Sequence, residues 1–67
     1  MARVRLSVAE RREELLSAAV EQIEARGVAA VRIADVASVL GVSNALVLYH
    51  FDTKEKLVAA AFTHAAE

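Results

Sequence analysis

Gly41-Val42-Ser43 decides the fold, because it separates two short segments whose apolar residues recur at helical spacing. Glycine can adopt the left-handed conformation that ends a helix, and serine can cap the start of the next helix. Three residues leave room only for a sharp turn, so the two helices must cross steeply. The stretch therefore predicts a helix-turn-helix.

Two further helices are predicted, one before and one after this helix-turn-helix. The first helix opens with Ser7-Val8-Ala9-Glu10, a capping box in which serine and glutamate satisfy each other's backbone amides. It ends at Arg26-Gly27, a cation followed by a helix-stopping glycine. After the helix that runs from Ser43 to about Phe51, Thr53 can cap a fourth one.

The overall composition is typical of one small all-α domain. The chain has 67 residues, two glycines, no proline and no cysteine, which excludes a disulfide framework and thiolate metal sites. Its N-terminus lacks the apolar stretch of a signal peptide, and no segment approaches the roughly 18 unbroken apolar residues of a membrane span. We therefore expect a cytoplasmic protein without membrane contact.

We divide the chain into a basic N-terminal arm, residues 1–6, and a helix-turn-helix domain, residues 7–67. The domain is a three-helix head with the start of a fourth helix. The apolar stripe of that last helix continues to the end of the sequence without a C-terminal cap, so we expect the natural protein to be longer. Six residues on the inward stripes are predicted to be buried together: Leu16, Ile33, Leu40, Val47, Phe51 and Leu57.

The charge is distributed unevenly, although its sum is only −1. Four of the first twelve residues are arginines and one is acidic, whereas glutamates then follow along the first helix. Further cations lie around the turn. A basic surface on one side of the domain and an acidic surface on the other are compatible with binding to double-stranded DNA.

The helix after the turn is the predicted DNA-reading element. With Val47 inward, a rotation of about 100° per residue puts Ala45 and Tyr49 outward and Leu46 and Leu48 on the flanks. Asn44 lies in the first turn, where side chains of groove-entering helices meet base edges, and asparagine pairs bidentately with adenine. Because this surface has no arginine, we expect little guanine recognition; core burial of Tyr49 is the less favoured alternative.

Two cations stand at predicted helix starts, where they oppose the helix dipole. Together with backbone amides, Arg32 and Lys54 could hold phosphates, although each alone could equally be a solvated surface cation. His50 is predicted to contact a phosphate or base and His64 to lie on the surface, because two histidines without acidic partners make a poor metal site. The complete set of predicted DNA contacts is Arg32, Ser43, Asn44, Ala45, Leu46, Leu48, Tyr49, His50 and Lys54.

The ordered set of motifs resembles the DNA-binding domain of the tetracycline-repressor (TetR) family of bacterial transcriptional regulators. The resemblance is carried by Arg12 with Leu15-Leu16 and Ala18-Ala19, by Gly27 and Gly41 fourteen residues apart, by Val36-Ala37, by Gly41-Val42-Ser43, by His50-Phe51, and by Lys54-Glu55-x-Leu57. It implies a ligand-responsive, usually repressing regulator. It also implies a C-terminal domain, absent from these 67 residues, that binds a small-molecule inducer and forms a homodimer.

Three positions depart from the family pattern. Val31 stands where we expect the family's capping threonine, Leu48 takes the place of a common tyrosine, and Asn44-Ala45 replaces a frequent Lys-Gly pair.

The alternative function is a small helical protein–protein interaction module, which would need neither the basic arm nor cations at helix starts. No reactive side chain has a paired base, so neither an enzyme nor a cofactor is predicted.

Overall fold

The computed structural model describes residues 6–66, which form four helices and no strand. The helices are α1 (Val8–Arg26), α2 (Ile33–Leu40), α3 (Asn44–Phe51) and α4 (Lys54–Ala66). The all-α prediction is confirmed, as are the predicted helices. No single helix in this part of the chain is long and apolar enough to cross a membrane; α2 and α3 meet that requirement only as a pair bent by 113°.

The start of α1 is the predicted capping box. The Ser7 hydroxyl accepts the Glu10 N–H at 3.1 Å, and the Glu10 carboxylate accepts the Ser7 N–H at 2.9 Å. At the other end, the N–H of Gly27 donates to the carbonyl of Ile23 at 2.8 Å. Gly27 has φ +86° and ψ 153°, so α1 stops and the chain turns towards α2.

The start of α2 lies at Arg32, as predicted, but its cap is not at the position that the family resemblance implies. Arg32, not Val31, is the N-cap, and Val31 is buried in the core. A guanidinium has no acceptor, so it cannot cap a backbone N–H. Instead the carboxylate of Asp35, in the first turn, accepts the Arg32 N–H at 2.9 Å. The expectation that Val31 occupies the capping position is therefore wrong, because its apolar side chain is needed inside.

The turn between α2 and α3 has the conformation that the sequence predicts. Gly41 is left-handed, with φ +67° and ψ 33°. Its N–H donates to the Ser38 carbonyl at 3.2 Å, and the N–H of Val42 donates to the Ala37 carbonyl at 3.0 Å. These two bonds form a Schellman motif, which satisfies the last carbonyls of α2. The resulting 113° bend is within the range of helix-turn-helix units.

The joints on either side of α3 are also fixed by local hydrogen bonds. The Ser43 hydroxyl accepts the Leu46 N–H, and the Thr53 hydroxyl accepts the Lys56 N–H, each at 3.1 Å. Between α3 and α4, Asp52 has φ +72° and ψ −53°, and the N–H of Thr53 donates to the Phe51 carbonyl at 2.8 Å. This is a γ-turn with positive φ, a rare and strained conformation for a non-glycine residue.

The core draws residues from all four helices and from the loop before α2. Val47, Phe51, Leu16 and Leu57 are buried as predicted. Ile33 and Leu40 are only half-buried and pack against the rim of the core, so full burial was wrong for these two residues. The buried set is Leu15, Leu16, Ala18, Ala19, Val31, Val36, Ala37, Val47, Phe51, Leu57 and Ala61. Because α1 packs against both α2 and α4, it supports the turn from behind.

Candidate nucleic-acid interface

The orientation of α3 is set by its two inward residues. Val47 has no exposed surface and Phe51 is also buried, one turn further along. On the opposite face Ala45 is exposed and Tyr49 is 76% exposed. The predicted rotation is confirmed, and the alternative in which Tyr49 belongs to the core is wrong. The outward face of α3 is therefore apolar, with the phenol of Tyr49 at its end, and it faces solvent.

The first turn of α3 presents a different surface from its end. Asn44 is exposed and free to meet a base edge, whereas Leu46 is half-buried. The Ser43 hydroxyl already accepts the Leu46 N–H, which leaves its own O–H to donate elsewhere. Leu48 is exposed on the flank. The exposed side chains of α3 on this surface are thus Asn44, Ala45, Leu48 and Tyr49.

His50 lies at the edge of this surface and is half-buried. Its ring meets that of Tyr49 edge to face, with centroids 5.2 Å apart and an interplanar angle of 86°. It also lies tilted against Phe51 at 6.2 Å. The two neighbouring rings restrict the orientation of the imidazole, which stays partly exposed.

Lys54 makes a contact that the sequence does not reveal. The ammonium of Lys54, at the start of α4, donates to the carbonyl of Ala29 at 3.4 Å. Ala29 lies in the loop that leads into α2, three residues before Arg32. Lys54 therefore ties the start of α4 to the loop before α2. A cation and the backbone amides at a helix start can together hold a negatively charged group.

Two of the acidic groups near these helix starts, Asp35 and Asp52, have local partners. Asp35 accepts the Arg32 N–H and its carboxylate lies 4.0 Å from the guanidinium of Arg26. Asp52 receives a 3.1 Å contact from the ammonium of Lys56. Both carboxylates are thus partly neutralised, which weakens their repulsion of an approaching phosphate.

Arg12 contributes a contact that the sequence analysis missed. Its guanidinium carbon lies 5.0 Å from the centroid of the Phe51 ring, within the range of a cation–π contact. In the sequence analysis Arg12 stands among the N-terminal cations and in the family motif, without a contact to α3. The available signal was its position four residues before the buried Leu16, which makes the two side chains neighbours on α1. Arg12 covers the last residue of α3 and so connects α1 to the candidate interface.

His64 is not the surface residue that was predicted. It is half-buried, and its Nδ1 lies 3.7 Å from a carboxylate oxygen of Glu13 across the α1–α4 contact. The described residues contain no group of three or more side chains that could hold a metal ion. Arg3 and Arg5 of the predicted arm lie outside the described residues.

The comparisons with known proteins agree with the geometry. The family model for bacterial regulatory proteins of the tetR family matches residues 15–61. The chain belongs to this family. The matched range runs from Leu15 in α1 to Ala61 in α4, so all nine predicted DNA contacts lie inside it, whereas Arg12 lies outside. Neither the curated proteins nor the solved structures gave a match.

Membership assigns the chain to the DNA-binding transcriptional regulators. The TetR-family match spans the complete helix-turn-helix, including Gly41 and the whole of α3. Residues that resemble the family pattern therefore have structural counterparts in the described region: Gly27 ends α1, Gly41 ends α2, and Lys54-Glu55 opens α4.

Proposed function

We propose that this chain is the DNA-reading head of a ligand-responsive repressor in the bacterial cytoplasm, with α3 in the major groove. The observation that carries the proposal is the exposed face of α3. Val47 and Phe51 fix this helix against the core, so Asn44, Ala45 and Tyr49 are held outward on a rigid element. A helix exposed along one face and joined at 113° to its neighbour fits the major groove.

Sequence recognition by α3 should favour A·T pairs. Asn44 is the only side chain in its first turn that can make a bidentate base contact, and asparagine suits the N6 and N7 atoms of adenine. Ala45 and the exposed flank of Leu48 can meet thymine methyl groups, and Leu46 can add to this contact from its half-buried position. The Tyr49 hydroxyl can bond to a base or a phosphate.

Phosphate contacts would position α3 along the duplex. Arg32, Lys54 and His50 surround it, and the Ser43 hydroxyl can donate to a phosphate from the start of the helix. Arg3 and Arg5, in the arm at residues 1–6, would reach the minor groove, where arginines favour narrow A·T-rich DNA.

Strong operator binding requires two such heads. A single head with few cations should bind DNA with a Kd of about 10⁻⁴–10⁻⁶ M at physiological salt, the range of non-specific binding. Linking two heads at half-sites about one helical turn apart raises the affinity through effective concentration. We propose that a C-terminal domain following residues 7–67 forms this homodimer and binds the inducer. The head itself has no catalytic role in this scheme.

Selection of duplexes from a random pool by a dimerised fusion of residues 1–67 tests this proposal. We expect enriched half-sites rich in A·T pairs. Asn44→Ala should cost about 1–3 kcal/mol of discrimination at one base pair and leave the other positions unchanged. Ser17→Ala, which removes an exposed polar group on α1, is the matched control and should leave the enriched site intact. Sites dominated by guanines that Asn44→Ala does not alter would refute recognition by α3.

A further inference from the structure

A second surface of the molecule lies between α1 and the end of α2. It is an open groove of about 510 Å³. Its apolar lining consists of Leu6, Ala18, Val39 and Leu40. Val39 is 45% exposed although it belongs to a short helix whose other valine is fully buried. None of these residues is among the predicted DNA contacts.

The rim of the groove is acidic. Glu10, Glu13, Glu14 and Glu21 of α1 all border it. Glu10, Glu14 and Glu21 are spaced by four and seven residues, so they follow one face of the helix. From the first to the last of them the distance along the helix axis is about 16 Å, or three turns.

These carboxylates are only partly neutralised within the chain. Arg11 pairs with Glu14 at 2.8 Å, and His64 lies 3.7 Å from Glu13. One oxygen of Glu10 accepts the Ser7 N–H. Glu21 takes part in no ion pair among residues 6–66. The groove therefore combines an apolar floor with an excess of negative charge at its edge.

We propose that this groove docks a basic amphipathic helix of a partner protein. Aliphatic side chains at i, i+4 and i+7 of such a helix would enter the floor, and flanking lysines or arginines would meet the glutamates. Three turns of the partner match the three turns between Glu10 and Glu21. The same carboxylates repel nucleic acid and anionic lipid, so charge complementarity selects a cationic protein segment.

The test uses residues 1–67 and a labelled synthetic helix of about three to four turns, with leucines along one face and lysines beside them. Fluorescence anisotropy at low salt measures the Kd. A peptide of the same composition with dispersed leucines, and one with glutamates in place of lysines, should bind at least tenfold more weakly. Amide shifts on binding should be confined to residues around Glu10, Ser17, Glu21 and Val39.

The chain offers matched control variants. Glu21→Lys and Val39→Ser should each weaken peptide binding by about fivefold. Glu24→Lys changes the same charge on the same helix outside the groove, and Val28→Ser changes a valine of similar exposure, 41%, in the loop before α2. Both controls should bind as the parent does. Melting curves by circular dichroism verify that all four variants are folded.

Three outcomes would overturn the proposal. The first is that the peptide fails to bind at low salt. The second is that Glu24→Lys weakens binding as much as Glu21→Lys, which would mean attraction to net charge alone. The third is sedimentation showing that the parent self-associates and that Val39→Ser abolishes this association, because the occupant would then be a second copy of the chain.

Discussion

Two glycines in the described part of the chain have positive φ, but they lie in different regions of backbone space. Gly41, at φ +67° and ψ 33°, is left-handed, a region that asparagine also visits. Gly27, at φ +86° and ψ 153°, lies in a region that is essentially restricted to glycine. A Cβ at either position would meet no atom within 4 Å. The backbone alone therefore determines what a substitution costs.

This difference predicts that asparagine is tolerated better than alanine at position 41 but not at position 27. Gly41→Ala and Gly27→Ala should each destabilise the domain by about 1–3 kcal/mol. Gly41→Asn should recover part of the loss, because asparagine tolerates the left-handed conformation, whereas Gly27→Asn should be no better than Gly27→Ala. Urea unfolding followed by circular dichroism measures all four. Equal recovery at both positions would show that Gly27 leaves its conformation at little cost.

At the scale of the helices, local signals near the ends were the most readable part of the sequence. Ser7, Ser43 and Thr53 are hydroxyl residues just before apolar-periodic segments, and each caps the helix that it was predicted to cap. The cap of α2 was expected one residue too early, at Val31, because no capping hydroxyl marks this helix start. Its signal was Asp35, three residues after Arg32, the spacing of the carboxylate half of a capping box.

The capping box of α1 makes stability depend on pH. The Ser7 backbone N–H, followed by the Ser7 hydroxyl, lowers the pKa of Glu10 below its ordinary value of 4.5. A depressed folded-state pKa stabilises the folded state above pH 4.5, and this contribution is lost as the pH falls through the lower value. Glu10→Gln keeps the hydrogen bond but cannot titrate. Its unfolding free energy should therefore decline less steeply than the parent's in acid.

Urea titrations between neutral pH and about pH 3 measure this difference. At neutral pH the two proteins should be close in stability, since glutamine also serves in capping boxes. If the unfolding free energies of the two proteins declined equally as the pH falls, the bond between Ser7 and Glu10 would not persist in solution.

The position of Lys54 at the start of α4, against the loop before α2, leads to a prediction for this side chain. Lys54→Ala should weaken binding to all duplexes about equally and reduce the slope of log K against log salt by about one, because one phosphate contact is lost. Lys56→Ala removes the same charge two residues later, where the ammonium is paired with Asp52, and should change the slope less. Anisotropy titrations over a salt series measure both.

A change of sequence preference in Lys54→Ala would make this lysine a base contact instead. An equal effect of Lys56→Ala would reduce the role of Lys54 to net charge.

The contacts that sequence analysis could not supply join residues far apart in the chain. Lys54 and Ala29 are 25 residues apart, and Arg12 of α1 meets Phe51 at the end of α3. Helical periodicity assigns each residue to a face but does not say which faces meet. For the same reason the apolar stripe of each helix was predictable, whereas the groove between α1 and α2 was not.

At the scale of the whole molecule, one aromatic side chain connects the core to the interface. Phe51 is buried at the end of α3, and the guanidinium of Arg12 lies over its ring. Phe51→Ala should cost about 3–5 kcal/mol. A core in a domain of this size seldom supplies more than that, so the variant should be largely unfolded. Tyr49→Ala, on the exposed face of the same helix, should melt as the parent does.

Thermal unfolding followed at 222 nm by circular dichroism, the usual helix wavelength, compares the two variants. A cooperative transition in Phe51→Ala at the parent's temperature would contradict the burial of this ring and the register of α3.

The strained joint at Asp52 has a consequence for how the head can evolve. Glycine usually destabilises the position that it enters, because it gives the unfolded chain more freedom. At Asp52 the sign can reverse, since glycine adopts the positive φ of the γ-turn without penalty. The same replacement would loosen the angle between α3 and α4 and release Lys56 from its partner. Asp52→Gly can therefore make the domain more tolerant of other mutations, while the angle between α3 and α4 becomes less precisely fixed.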